Sequence, residues 1–198
     1  MFVWLIDRAR ARVPCAIHAI ALMTNHVHLL VTPPDAQALP AFVKRFAQRY
    51  AMFRNRERDA SGKLFEERYK SSVVADHEQL AVTTAYIDRN PVEANMVADP
   101  LDYPWSTYAI HLSRAAQGRI GAHLWTPSAW YTGLGDTPAA RAEAYKIWFN
   151  FYHETRLAPK GMDEMDDRIE ATPYTLRLER PDRSSAAEPS FAYGMGHS

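Results

Sequence analysis

The chain has 198 residues, of which 47% are hydrophobic, and it carries equal numbers of basic and acidic side chains, 23 of each. This length suits one compact domain with an appended segment. The single cysteine, Cys15, excludes an internal disulfide framework and a zinc cluster of several cysteines, and no run of about 18 apolar residues could span a membrane. We therefore expect a cytoplasmic protein.

The first predicted elements are a helix and a β-hairpin. Residues 2–12 place apolar side chains on one side and Arg8 and Arg12 on another, and Pro14 ends this helix. Residues 16–22 are compatible with a strand, although their alternation is irregular. Thr24 and Asn25 then form a turn into a second strand, so the two strands are expected to pair as a hairpin.

The second strand contains the most informative pair of residues, His26 and His28. Alternate residues of a strand point to the same face, so both imidazoles are expected to leave the sheet on one side. Two nitrogen donors a short distance apart suit one divalent cation. By spacing alone, such a pair is more often two hydrogen-bonded strand histidines than a metal site.

Residues 39–58 predict an amphipathic helix, because aromatic residues recur in them at intervals of three and four. This helix opens a basic stretch. Between Lys44 and Lys70 there are nine basic and four acidic residues, an asymmetry that the zero net charge hides. A local excess of this kind is expected of a phosphate-binding surface, although many solvated helices are equally basic.

Within residues 64–75 we expect a strand or extended segment, followed by a helix over residues 78–90. This helix must end near Asn90, because Pro91 disfavours a helical conformation for the residue before it. Tyr86 and Asn90 lie four residues apart and so share a face. Taken alone, they are explained by a packed aromatic ring and a polar cap.

Two further segments complete the reading of the chain. Residues 137–155 predict a helix, with Pro138 in its first turn and with Ala144, Ile147, Trp148 and Phe151 on its apolar side. From about residue 159 onward few residues are able to build a core, and we expect disorder there.

Four motifs stand in order along the chain: NHVHLLV from Asn25, GKLFEERYK from Gly62, YIDRNPVEANMV from Tyr86 and DYPWSTY from Asp102. Together they resemble the REP-associated tyrosine transposases, which are single-domain relatives of the IS200/IS605 transposases in the HUH endonuclease superfamily. The resemblance extends from about residue 2 to about residue 153. It implies an α+β fold with a ferredoxin-like or palm-like antiparallel sheet and helices on one or both of its faces.

The resemblance also implies the roles of the site residues. His26 and His28 correspond to the metal-binding pair, Tyr86 to the nucleophile and Asn90 to the third, polar metal ligand. The implied reaction is cleavage and strand transfer of single-stranded DNA at hairpin sequences, through a 5′-phosphotyrosine. It implies Mg²⁺ or Mn²⁺, no nucleotide cofactor and a monomeric protein.

Residues of the basic stretch are the candidates for contacts with DNA phosphates: Arg45, Arg49, Arg68 and Lys70. Two other functions remain open. One is a catalytically inactive, truncated protein that binds DNA hairpins, and the other is a metallohydrolase in which His26 and His28 activate water. Neither alternative needs Tyr86 as a nucleophile.

The start of the chain departs from the family pattern. Family members carry, before the helix that begins here, a segment that supplies the first strand of the sheet. Its absence implies that the sheet lacks a central strand and has an open edge. We expect a transposase domain over residues 1–118, a helical extension packed on it over 119–158, and a disordered acidic and polar tail over 159–198.

Overall fold

The computed structural model describes residues 1–65 and 69–155 and the backbone of residues 174–179. The α+β class with an antiparallel sheet is confirmed. No helix in these residues is long and apolar enough to cross a membrane. In chain order the elements are α1 (Phe2–Arg10), β1 (Ala16–Leu22), β2 (His26–Thr32), α2 (Ala38–Glu57), β3 (Lys70–Val73), α3 (His77–Glu93), α4 (Tyr108–His111), α5 (Ala129–Thr132), α6 (Pro138–Thr155) and β4 (Tyr174–Glu179).

The strands form one sheet in the order β1-β2-β4-β3, and each neighbouring pair is antiparallel. The predicted hairpin of β1 and β2 is confirmed. Its register contains a bulge at His18, because Ile17 pairs with Val31 whereas Ala19 already pairs with Leu30. The extra residue explains why the alternation of apolar residues in β1 is irregular.

The central position beside β2 is filled by β4, from the far end of the chain. All six residues of β4 pair with β2, and four of them also pair with β3. Strand β2 therefore has no open edge, because the backbone groups of β4 pair with it. The expectation of disorder over residues 159–198 is therefore wrong for these six residues, which form a strand. The rest of that range lies outside the described residues, and its disorder stays a prediction.

The helices cover both faces of the sheet. Helices α1 and α2 pack on the face that carries Val27, Leu29 and Val31, where they form the largest apolar core. Helix α3 packs on the opposite face, which carries Leu30. The predicted alternation along β2 is therefore confirmed, and the histidines face α3.

Helix α3 extends three residues beyond its predicted end. It continues through Pro91 to Glu93, so the expectation that it ends near Asn90 is wrong. Proline removes one backbone donor in the last turn, but the amide of Ala94 still donates to the carbonyl of Asn90 at 2.9 Å and closes the turn. A proline this close to the end of a helix therefore costs little.

Helix α6 has nearly the predicted bounds but buries a different face. Its buried residues are Tyr145, Phe149 and Tyr152, whereas Ile147 is 64% exposed and Phe151 is 48% exposed. The predicted apolar side is therefore wrong for Ile147 and Phe151, whereas Trp148 is partly buried and packs against the same cluster as Tyr145. Tyr145 can be fully buried because its hydroxyl finds a partner, a buried carboxylate of α3, to which it donates a hydrogen bond.

Candidate active site

The histidine pair lies on one strand, which sets the direction of both rings. His28 is buried and His26 is partly exposed. Their Nε2 atoms lie 3.0 Å apart, and the ring planes are nearly perpendicular. The Nδ1 atom of His26 donates to Oδ1 of Asn25 at 2.7 Å, which leaves a lone pair on its Nε2 atom. This geometry permits a hydrogen bond between the two rings and equally permits both nitrogens to bind one cation.

The nitrogen separation fits a shared divalent ion. Two nitrogens about 2.1 Å from one ion and at right angles to each other would lie about 3.0 Å apart. Among residues 1–65 and 69–155, however, no group of three or more His, Cys, Asp or Glu side chains could hold a metal ion. A third protein ligand from this part of the chain must therefore be another kind of donor. A mixed set of imidazole nitrogen and oxygen donors suits Mn²⁺ better than Mg²⁺.

Tyr86 lies in the middle of α3, facing the sheet. Helix α3 begins at Asp76, whose side chain accepts a hydrogen bond from the backbone amide of Gln79 at 2.7 Å. The ring of Tyr86 meets the ring of His28 edge to face, with 5.6 Å between their centroids. Tyr86 is partly exposed, so its ring is also reachable from solvent. The structure thus brings the predicted nucleophile beside the predicted metal-binding pair.

Asn90 lies one turn after Tyr86 on the same helix and is also partly exposed. Its side-chain NH₂ group donates to the backbone carbonyl of Tyr86 at 2.7 Å. This bond fixes the amide nitrogen toward the helix and leaves the carboxamide oxygen as the atom able to bind a metal. The role of Asn90 as third ligand stays a prediction.

A buried polar network behind Tyr86 was not predicted. The carboxylate of Asp88, fully buried, accepts hydrogen bonds from Oγ1 of Thr107 at 2.9 Å, Nδ1 of His111 at 2.6 Å and the hydroxyl of Tyr145 at 2.6 Å. The same Thr107 hydroxyl contacts the backbone of Ile20 in β1. The network therefore ties α3 to β1, α4 and α6.

Burial keeps the hydroxyl of Tyr145 protonated. Burial, and then the neighbouring Asp88 carboxylate, raises the pKa of Tyr145 well above its ordinary value, so this hydroxyl remains a donor. The Nδ1 atom of His111 must carry a proton to donate to the carboxylate, and its Nε2 atom can accept from the indole N–H of Trp125 at 3.1 Å. The sequence offers only a single aspartate within the predicted helix, which does not identify partners 19 to 57 residues away.

The predicted DNA-contacting residues lie on different faces of the sheet. Lys70 begins β3 and stands in the same row as His28, because both are paired with residue 177 of β4. Directly paired residues share a face, so Lys70 lies on the histidine face. Arg45 and Arg49 lie on α2, which covers the opposite face. Arg68 lies outside the described residues.

Comparison with known families matches the part of the chain that contains the candidate site. Residues 4–90 match the family model described as "Transposase IS200 like", and this segment includes both histidines, Tyr86 and Asn90. No curated protein and no solved structure matches the chain. The match supports a DNA-processing enzyme in general terms. Residues 4–90 of the chain are thus similar to the IS200-like transposases.

Proposed function

We propose that this protein cleaves and rejoins single-stranded DNA at hairpin sequences, with Tyr86 as the nucleophile and His26, His28 and Asn90 as the ligands of a divalent metal. The observation that carries the proposal is the contact of the Tyr86 ring with His28, whose Nε2 atom lies 3.0 Å from that of His26. A water-activating metal site would have no need of a tyrosine at this position.

The reaction is a transesterification at one phosphodiester. The Tyr86 oxygen attacks the phosphorus, the bond from phosphorus to the 3′ oxygen breaks, and a 5′-phosphotyrosine forms. The phenol proton passes to solvent, and the 3′ oxygen takes up a proton to become a hydroxyl. Attack of a 3′ hydroxyl on the phosphotyrosine reverses these steps, so rejoining requires no nucleotide cofactor.

The chain's own residues orient this reaction. The metal, Mg²⁺ or Mn²⁺, supplies Lewis-acid polarisation of the phosphate when bound. His26 and His28 hold their donor atoms on the sheet, which is rigid. Helix α3 holds Tyr86 against them through the Asp88 network. Partial exposure of Tyr86 allows a DNA strand to reach it from solvent.

The test is formation of a covalent adduct. Purified protein is incubated with Mn²⁺ and a DNA hairpin that carries a single-stranded flank from the sequence beside its own gene, and the products are separated on a denaturing gel. We expect a protein band shifted by the mass of the cleaved DNA. Tyr86→Phe should abolish the band, because phenylalanine lacks the attacking oxygen, and His26→Ala should reduce it strongly.

The matched control is Tyr69→Phe, which removes a hydroxyl from another partly exposed tyrosine and should leave the adduct intact. Two outcomes contradict the proposal. Cleavage without an adduct, unaffected by Tyr86→Phe, would indicate hydrolysis by activated water. Binding of the hairpin without cleavage in the presence of Mn²⁺ or Mg²⁺ would indicate an inactive DNA-binding protein.

A further inference from the structure

We propose that a cleft between α1 and α2, lined by Arg8, Arg12, Arg45 and Arg49, binds backbone phosphates of the DNA substrate at a distance from the cleaved bond. The inference rests on the proposed function for the identity of the ligand. The cleft itself is a feature of the described residues.

The side chains that line the cleft favour binding of an anion. Arg45 and Arg49 project from one face of α2, because they lie four residues apart. Arg8 lies on α1, and Arg12 lies in the turn that follows this helix. The recess has a volume of about 180 Å³, several times the roughly 30 Å³ that a water molecule occupies, and so can hold a phosphate group. Leu5 and Ala9 form its apolar floor.

The positive charge of the cleft is not compensated within α1 and α2. Asp7 is the only acidic residue of α1, and its carboxylate lies 3.7 Å from the His123 ring. Glu57 is the only acidic residue of α2, and it pairs with Arg54 at 2.8 Å. In the described part of the chain, none of the four cleft arginines forms a salt bridge. Four like charges around one recess repel each other, and a bound phosphate relieves this repulsion.

Guanidinium groups favour a phosphate over other anions. Each presents a planar fork of donors that matches two phosphate oxygens. All four side chains are exposed, so the cleft is open to a polymer rather than closed around a small molecule. A DNA backbone is the polyanion that the proposed reaction supplies.

The position of the cleft determines which phosphates it contacts. Helices α1 and α2 cover the face of Val27, Leu29 and Val31, whereas His26 and His28 project from the opposite face. The sheet therefore lies between the cleft and Tyr86. The bound phosphates belong to nucleotides other than those at the cleaved bond, either in the paired stem or in the unpaired flank, and the substrate must pass around the edge of the sheet.

The experiment measures the salt dependence of DNA binding. All proteins carry Tyr86→Phe, so that no cleavage occurs, and binding is followed by fluorescence anisotropy between 50 and 300 mM KCl. The probes are the hairpin with its flank, the hairpin alone and the flank alone. The variants are Arg8→Gln with Arg12→Gln, and Arg45→Gln with Arg49→Gln. The matched control removes two positive charges near α6, through Arg114→Gln with Lys146→Gln.

Each cleft variant should reduce the slope of log K against log salt by about 1 to 2, since each lost phosphate contact contributes about 0.9. At 100 mM KCl this corresponds to roughly tenfold weaker binding of the complete substrate. The control should keep the original slope. A reduced slope on the hairpin alone assigns the phosphates to the stem, and a reduced slope on the flank alone assigns them to the unpaired strand.

Unchanged slopes for both cleft variants on all three probes would overturn the inference. The inference would also be overturned if the control lowered the slope as much as the cleft variants do. The slope would then depend on the total charge of the protein and not on the cleft. The proposed cleavage is tested separately by the adduct. An adduct with unchanged slopes refutes only the cleft, and weakened binding by the cleft variants without any adduct refutes only the cleavage.

Discussion

The two faces of the sheet are held together by different kinds of interaction. On the α1–α2 face, apolar side chains pack against each other, as in the edge contact of Phe42 with Phe46, whose ring centroids lie 5.2 Å apart. On the α3 face, the Asp88 carboxylate joins elements distant in the chain through three hydrogen bonds. Hydrogen bonds are directional, whereas apolar packing is not. The directional contacts lie on the face that holds Tyr86.

The largest effect on stability is expected from the apolar face. Phe42 is fully buried, so Phe42→Ala removes a whole ring from the core and leaves a cavity. We expect the free energy of unfolding to fall by about 3–5 kcal/mol. Urea denaturation measures this loss. Met52→Ala, at a position that is 66% exposed on the same helix, should change stability by less than about 0.5 kcal/mol. A loss for Phe42→Ala no larger than this control would contradict the assigned core.

A smaller loss of stability, with a larger loss of activity, is expected on the α3 face. Asp88→Asn keeps the shape of the side chain but replaces one acceptor oxygen by a donor group, which faces both His111 and Tyr145 in the position of Oδ2 or Thr107 in the position of Oδ1. We expect a loss of about 2–4 kcal/mol, because buried donors then lack an acceptor. The yield of covalent adduct should also fall at temperatures where the variant is folded.

The yield of covalent adduct should distinguish substitutions on the two faces. Phe42→Ala, at temperatures where it is folded, should lower the adduct less than Asp88→Asn does, since it alters no contact of α3. Asp102→Asn, at an exposed aspartate, serves as the control and should change neither quantity. If Asp88→Asn reduced stability but left the adduct of the folded protein intact, the network would be structural only.

The contrast between apolar packing on one face and long-range polar contacts on the other explains how much of the fold the sequence could predict. The hairpin, α1 and α2 follow from local patterns, because apolar residues at strand or helix spacing report the face that they bury. The proximity of Tyr86 to His28 was implied by family resemblance rather than by spacing. No local pattern indicates β4, since its partners in β2 lie about 150 residues earlier and pair through backbone groups common to all residues.

The buried face of α6 could not be predicted for a related reason. Counting apolar residues selects Ile147 and Phe151, which are exposed, over Tyr145, which is buried. Full burial of Tyr145 is stabilised by an acceptor for its hydroxyl, and that acceptor, Asp88, lies 57 residues away. Local patterns report apolar burial and miss polar burial that depends on a distant partner.

Tyr145→Phe should have a smaller effect than Asp88→Asn. It removes one of three donors to Asp88 and leaves an apolar ring of nearly the same shape. We expect a loss of about 1 kcal/mol, measured by urea denaturation. In the double variant with Asp88→Asn, the two losses should not add, because both variants affect one hydrogen bond. Additive losses would mean that Tyr145 and Asp88 do not interact in the folded protein.

The smallest effect on stability is expected from a change of pH, through His18 at the bulge of β1. His18 is buried, with Nδ1 lying 2.8 Å from the carbonyl of Thr126 and Nε2 lying 2.9 Å from the hydroxyl of Thr32. Burial lowers the pKa of His18 below its ordinary value of 6.5, although the hydrogen bond with Thr126 opposes this shift. The unfolded chain therefore binds a proton near pH 6.5 that the folded protein does not yet bind. Stability should fall as the pH drops through 6.5 and level off below the folded pKa.

Urea denaturation at a series of pH values between 8 and 5 tests this expectation. The wild-type protein should lose stability over this range more steeply than His18→Gln, which cannot titrate. His153→Gln, at an exposed position of α6, should keep the wild-type slope. Equal slopes for wild type and His18→Gln would show that His18 is protonated equally in the folded and unfolded states. Loss of the slope in Asp88→Asn rather than in His18→Gln would contradict the assignment of the pH sensitivity to the bulge.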